Sequence, residues 1–325
     1  MLLDRDRQAP PAVVDPAFRA DVLAGLTARP RAIPARWFYD HRGSELFEAI
    51  TDLPEYYPTR TERALLEACA PQVAHHVDAG RAVVEFGSGS SAKTPLLLAA
   101  VDPAAYVPID ISGDFLRESA AALGQRFPGL PVHPVEADFT HPIALPGAIG
   151  AAPRLGFFPG STIGNLTAPA ATDLLRAMAG TLGDGAMLLI GMDRIKSPDV
   201  LVPAYDDAQG VTAAFNLNLL TRINRELGGD VPVDAFRHVA RWNDAEARIE
   251  MHLAAVRDVA FTIDGRSFEI AAGETIHTEN SHKYDARGAR LLLAAGGWTT
   301  IATWTDPDDQ FAILLAEARP PATAP

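Results

Sequence analysis

The stretch Val83 to Thr94 reads VVEFGSGSSAKT, and its residue types suit a turn that wraps a nucleotide-like ligand. Gly87 and Gly89 end a β-branched run and open a helical pattern, and glycines at such a turn let the backbone approach a ligand closely. Glu85 stands two residues ahead of the first glycine. Asp110 closes the next apolar run, 23 residues after Gly87, where a carboxylate can accept both hydroxyls of a ribose. Asp138 and Phe139 follow a third run and offer an acid for an exocyclic amine beside an aromatic face. Singly, each acid is as easily a helix cap or a solvated strand end. In this spacing together they describe a nucleoside site.

Two cofactors compete for it. Gly87-x-Gly89-x-x-Ala92 satisfies the dinucleotide pattern, so a nicotinamide oxidoreductase is the competing reading. Glu85 with the two glycines instead gives E-x-G-x-G, the form typical of seven-strand methyltransferases, in which the acid orders the loop and meets the cationic methionine end of S-adenosylmethionine. With Asp138-Phe139 and a terminal hairpin, S-adenosylmethionine is favoured.

The elements that must position these residues alternate. AVVEF, AYVPI, PVHPVEA, RLGFF and AMLLIGM read as strands, with helices expected at 94–100, 112–125 and 168–182, which is the βαβ signature of a parallel sheet. WTTIATWT and FAILLAEA flank the short turn DPDDQ and must pair antiparallel. The expected fold is α/β, a seven-stranded Rossmann-like class I methyltransferase sheet with a terminal antiparallel hairpin. The insert at 196–284 is too long for a crossover. It carries a helix with apolar spacing at Phe215, Leu219, Ile223 and Leu227, stopped by Gly228-Gly229, and the strand-like runs ARIEMHLAAV, VAFTID, SFEIAA and ETIHTENSHK. Residues 60–195 and 285–325 are therefore assigned to the cofactor domain, and 1–59 with 196–284 to a second, α+β, substrate-binding domain, with hinges at Lys196-Ser197-Pro198 and near Tyr284. In LPEYYPTRTE, two tyrosines sit between prolines in an expected loop, and Thr59 with Glu62 has capping-box spacing for the helix that follows.

The chain has 325 residues, 48% of them hydrophobic, and sets 28 basic against 41 acidic residues for a net charge of −13. That balance repels phosphate backbones and argues against nucleic-acid binding; a small-molecule substrate fits better. The single cysteine, Cys69, reads as a buried thiol among helical apolar residues. The charged opening MLLDRDRQAP is unlike a signal peptide, and no apolar run approaches the ~20 residues of a membrane span, so a cytoplasmic protein with no membrane association is expected. The Pro/Ala-rich ends PPAVVDP and ARPPATAP are expected to be loose, and a monomer is expected. Of the nine histidines, His75-His76 diverge on a helix, and His277 and His282 fall on opposite faces of a strand, so no metal site is expected.

The strings FYDHRGSELFEAITDLPEYYPTRTE, EFGSGSSAKT, FFPGSTIGNL and TENSHKY carry a resemblance that covers nearly the whole chain. In them the sequence resembles the L-histidine Nα-methyltransferases of ergothioneine biosynthesis. The resemblance implies transfer of three methyl groups from S-adenosylmethionine to the histidine α-amino group, giving hercynine, without a metal.

By position it makes Tyr56 and Tyr205 hydrogen-bond donors to the substrate carboxylate, with Tyr57 packing beside them. It implies that Asn165, with the Gly160 region, orients the α-amino group, that Tyr39 lies near the amine, and that Lys93 contacts the cofactor carboxylate rather than being solvated. Glu279 and Ser281, two apart in a strand-like run, share a face and could meet the two imidazole nitrogens. Met251 would form an apolar wall, or fill the core. Asn280 and His282 should point away and be structural. The alternatives are methylation of another amino acid such as tryptophan, the oxidoreductase, and a binding module without turnover.

Overall fold

The computed structural model describes residues 14–89 and 91–318. The opening MLLDRDRQAP, most of PPAVVDP, Ser90 and the tail beyond Ala318 lie outside the described residues.

Among the described residues, thirteen strands form three sheets: β1 (Arg31–Ala32), β2 (Ala82–Phe86), β3 (Ala105–Asp110), β4 (Val135–Glu136), β5 (Arg154–Phe158), β6 (Met187–Asp193), β7 (Phe236–Asn243), β8 (Arg248–Ala255), β9 (Val259–Ile263), β10 (Arg266–Ile270), β11 (Thr275–His282), β12 (Trp298–Thr305) and β13 (Phe311–Ala318). The large sheet has the order β12-β13-β6-β5-β2-β3-β4. Its first five strands in chain order are parallel, and β13 runs antiparallel to both neighbours. This is the seven-stranded class I methyltransferase sheet expected from the sequence. Helices cover both faces, so the central strands are apolar on both sides, and every residue of β2 and β6 is buried. One apolar cluster built around Phe86, Phe158 and Trp298 fills one face, and another around Leu66, Tyr106 and Phe311 fills the other.

Helices at Thr94–Val101, Gly113–Arg126 and Ala168–Leu182 fall within a residue of their expected limits. The third parallel strand is only two residues long, shorter than PVHPVEA suggested. Pro131 and Pro134 bring no N–H to a ladder, and ahead of β4 only the isolated bridge between Tyr106 and Val132 forms.

A separate core joins residues from 18–57 to residues from 201–276, with Phe38 and Phe215 at its centre. It packs beneath a four-stranded sheet of order β1-β11-β8-β7. The helix Val211–Leu227 lies against it and stops at Gly228, whose φ of +61° is the left-handed cap that glycine adopts without strain. The strands β1 and β7 were not foreseen. In β7 (FRHVARWN) the alternation is carried partly by polar residues, with His238 buried.

The tyrosine segment departs from expectation. The helix begins at Tyr57 with Pro58 in its first turn, Tyr56 is the N-cap, and no side chain caps it. Proline at the start of a helix loses nothing, because that N–H has no intrahelical partner. Thr59 and Glu62 are thus inside the helix rather than a capping box.

Candidate active site

A cavity of about 580 Å³ opens at the carboxyl ends of the parallel strands and reaches across to β11. Tyr39, Tyr56, Glu85, Gly87, Gly89, Lys93, Asp110, Asp138, Phe139, Gly160, Asn165, Tyr205, Glu279 and Ser281 all border it. Met251 does not. It pairs with Glu279 in the ladder, but its side chain is 2% exposed and belongs to the core, so the packing alternative holds and the pocket wall does not.

The first half of the cavity is built from strand ends. Gly87 (φ +72°) and Gly89 (φ +49°) take left-handed conformations, and a Cβ on Gly87 would stand 3.2 Å from the Phe139 ring. The turn is therefore closed to larger residues at that point. Asp110 fixes it from the next strand, accepting the Gly89 N–H at 2.9 Å and the Ser112 N–H at 2.9 Å. Asp138 accepts from the Thr140 hydroxyl at 2.6 Å and from Arg36 at 3.4 Å, while Phe139 meets Phe158 edge-on at 5.7 Å. Glu85 is buried beneath the turn, accepting hydrogen bonds from the Tyr106 and Thr94 hydroxyls. Burial pushes its carboxyl up to about 7, against the pull of those two donors. A buried acid held so close to neutrality fits a cationic ligand, and the carboxylates of Asp110 and Asp138 fit ribose and an amine. The residues present thus suit S-adenosylmethionine.

Lys93 is held from within the protein rather than extending freely into solvent. It forms an ion pair with Glu62, a residue 2% exposed whose two oxygens also accept the Gly160 N–H at 2.9 Å. One of its three donors is engaged there, and Lys93 still borders the cavity where a cofactor carboxylate is expected.

The second half lies between Tyr39, Tyr56, Asn165, Tyr205, Glu279 and Ser281. Asn165 closes the short helix Thr162–Asn165 after β5, and that helix can abut β11 because a Cβ on Gly164 would lie 2.7 Å from the His282 carbonyl oxygen. Close backbone approach here brings the loop of one sheet against a strand of the other. The Tyr39 ring meets Phe47 and Phe215 edge-on, and Tyr56 meets Tyr205 edge-on at 6.0 Å. Burial pushes the phenols of Tyr39, Tyr56 and Tyr205 well above their usual range, so all three are neutral hydroxyls and none is a base at neutral pH.

Glu279 and Ser281 both face the cavity, as their spacing requires, after a register shift between His277 and Glu279. Asn280, expected on the far face, borders the cavity as well. No hydrogen-bond partner meets the Glu279 carboxyl among the described residues, and burial pushes it up to about 8 although Lys283 draws it down.

Behind this half lies a polar network that spacing did not reveal. Asp193, 0% exposed, ends β6 and accepts from the Tyr57 hydroxyl at 2.7 Å, Lys196 at 2.6 Å and Lys283 at 2.7 Å. Tyr57 is thus a hydrogen-bonding member and not packing alone. Its only signal in sequence was position: Asp193 closes a parallel strand as Asp110 does, and Lys283 follows Ser281 by two.

His252, which no sequence pattern singled out, stacks on His277 at 4.7 Å and comes together with Glu250. The Glu250 oxygens accept from Arg241, Arg248 and Asn243, and these donors hold its carboxyl well below the usual range. That carboxylate is already engaged by two guanidinium groups, an amide and the His252 ring. Cys69 is buried and its thiol is pushed up to about 11, as an inert core residue would be. Among the described residues, no helix is long and apolar enough to cross a membrane.

Comparison with known proteins adds an independent line. The model of the histidine-specific, S-adenosylmethionine-dependent methyltransferase family matches residues 18–318. A histidine N-alpha-methyltransferase of Mycolicibacterium smegmatis is 44% identical over 309 residues, spanning 92% of this chain and 94% of that one. One from Mycobacterium tuberculosis is 44% identical over 310 residues, with the same coverage of both chains. Ergothioneine biosynthesis protein 1 of Neurospora crassa is 28% identical over 300 residues, spanning 89% of this chain and 34% of that protein.

Proposed function

We propose, since the chain belongs to the histidine-specific, S-adenosylmethionine-dependent methyltransferase family, that it methylates the α-amino group of L-histidine three times, giving hercynine, a step of ergothioneine biosynthesis. Membership removes the nicotinamide reading of the Gly87 turn. The observation that carries the substrate assignment is the unpaired Glu279 carboxyl facing the cavity beside Ser281.

Half-buried at the cavity wall, the Glu279 carboxyl is pushed up to about 8, and in its protonated form it can donate to one imidazole nitrogen or share its proton with the ring. A ligand without that ring leaves the acid unsatisfied, which costs about 1–3 kcal/mol and supplies selectivity. An indole, with its single N–H and no acceptor nitrogen, cannot meet both Glu279 and Ser281.

When bound, S-adenosylmethionine supplies an electrophilic methyl group. The protein's residues do the positioning, which is the main contribution to an in-line transfer. Tyr56 and Tyr205, neutral phenols on one wall, donate to the substrate carboxylate. Asn165 and Tyr39 orient the amine, and the faces of Tyr39 and Phe47 accept the methylated cation as it grows. Each transfer requires a neutral amine, and the three phenols, being protonated, act as donors and not as the base.

The test is mass spectrometry of the purified protein with S-adenosylmethionine and a mixture of common amino acids, repeated with Glu279→Ala. Histidine alone should gain up to three methyl groups, and the preference should be lost in the variant. Methylation of a different amino acid by the unaltered protein would sink the substrate assignment.

A further inference from the structure

Lys283 is fully buried, with its side chain 0% exposed, and does not border the cavity. An ammonium has three donors. Here three acceptors take them: Asp193 Oδ2 at 2.7 Å, the Tyr205 hydroxyl oxygen at 2.9 Å and the Ser281 hydroxyl oxygen at 2.9 Å. Nothing is left for a ligand, so Lys283 acts on the cavity through those two hydroxyls. They also bond to each other at 2.7 Å. Each hydroxyl has one proton, and Lys283 occupies a lone pair on both oxygens. One of the two protons is spent on the mutual bond, and one remains to face the cavity.

We infer that Lys283 is a positioning residue that makes Tyr205 and Ser281 a coupled pair, presenting one hydroxyl donor and one hydroxyl acceptor to the amino-acid substrate. This rests on the assignment of Tyr205 to the substrate carboxylate made above. When Tyr205 gives its proton to the carboxylate, Ser281 donates to Tyr205 and offers only a lone pair to the ring. The imidazole nitrogen beside Ser281 must then carry hydrogen, and Glu279 addresses the other nitrogen. Carboxylate and ring recognition are linked through one shared proton direction.

Asp193 supplies the counter-charge from the far sheet and is itself held by Tyr57 and Lys196. The pair is thereby anchored to the end of β6, the strand that also leads into the loop carrying Tyr205. A buried cation behind two hydroxyls also favours an anionic group in front of them.

The experiment is calorimetric titration, at saturating S-adenosylhomocysteine, of L-histidine and of histamine, which lacks the carboxylate. The proteins are wild type, Lys283→Met, and Lys283→Met/Asp193→Asn, the last leaving no carboxylate stripped of its buried partner. Wild type should prefer histidine to histamine. Loss of the charge-assisted arrangement should shrink that preference roughly 10- to 100-fold in both variants, with histamine affinity falling less than histidine affinity and S-adenosylhomocysteine affinity unchanged. If the single variant fails to bind S-adenosylhomocysteine, the double variant decides. A preference retained in the double variant overturns the positioning role and leaves the histidine assignment standing. A wild type that does not distinguish histidine from histamine overturns both.

Discussion

Glu62 and Gly160 are joined by two hydrogen bonds, the backbone N–H of Gly160 lying 2.9 Å from each carboxylate oxygen, while the same carboxylate holds Lys93. The helix that begins at Tyr57, the cofactor turn and the segment after β5 that carries Gly160 thus meet at one buried side chain. Breaking a buried ion pair from one side typically costs ~3–5 kcal/mol because a charge is left behind. Lys93 keeps 15% of its side chain exposed, which places Glu62→Ala at the low end. The variant should lower the urea midpoint by an amount equivalent to about 3 kcal/mol, with the denaturant slope unchanged. Glu62→Gln, which keeps an acceptor for Gly160, should recover part of the loss. Equal stability of all three proteins would mean the contact is not formed.

Glu85 gives a pH signature for cofactor binding. Its carboxyl is pushed up to about 7 by burial, and a cationic ligand favours the ionised form. Below pH 7 a proton must therefore leave before the cation is accommodated. Affinity for S-adenosylmethionine should fall by up to about tenfold per pH unit below that point and level off above it. Glu85→Gln should bind more weakly at pH 8 and show a flatter profile between pH 5.5 and 8. Isothermal titration across that range checks it, and a wild-type profile as flat as the variant's would rule out this role for Glu85.

The cofactor half was legible in the sequence because its residues sit at the ends of local patterns: β-branched runs mark the strands, and Gly87, Asp110 and Asp138 follow at fixed offsets. Glu279 and Ser281 were legible for the same reason, as an i, i+2 pair in a strand. The network behind them was not. Asp193 and Lys283 lie 90 positions apart in sequence and meet where the chain leaving β6 bridges the chain leaving β11, the Tyr284 N–H donating to the Asp193 carbonyl at 2.9 Å, while Gly164 lets the segment after β5 lie close to β11. Glu62 was misread because Thr59-x-x-Glu62 is a valid local cap, and only the tertiary contacts to Lys93 and Gly160, with Pro58 starting the helix earlier, override it. β7 escaped because Arg and His occupy much of its alternation.

Glu279 also predicts how stability varies with pH. Its carboxyl is pushed up from an ordinary value of 4.5 to about 8 in the folded protein. Below 4.5 both folded and unfolded forms are protonated, and the group has no effect. As pH rises from there to about 8, the unfolded chain releases a proton that the folded protein keeps, so stability declines by up to about 1.4 kcal/mol per unit. Glu279→Gln does not ionise. Its melting temperature, measured without ligands, should match wild type near pH 4.5 and exceed it increasingly toward pH 8. A constant difference across that window would mean the carboxyl titrates normally.

Tyr39 should separate the first methyl transfer from the last. Its hydroxyl has no hydrogen-bond partner among the described residues, and its ring is held edge-on by Phe47 and Phe215, so Tyr39→Phe removes a polar atom without loosening the wall. The unmethylated amine has N–H groups that can bond to that oxygen, whereas the neutral dimethylated amine has none. Loss of one neutral hydrogen bond, about 0.5–1.5 kcal/mol, should slow the first step roughly 2- to 10-fold and leave the third nearly unchanged. Mono- and dimethylhistidine should then accumulate less than in wild type at equal consumption of S-adenosylmethionine, as followed by time-resolved mass spectrometry. An unchanged distribution would place the Tyr39 hydroxyl away from the amine, and a larger loss at the third step would mean that the hydroxyl acts on the cation and not on the N–H.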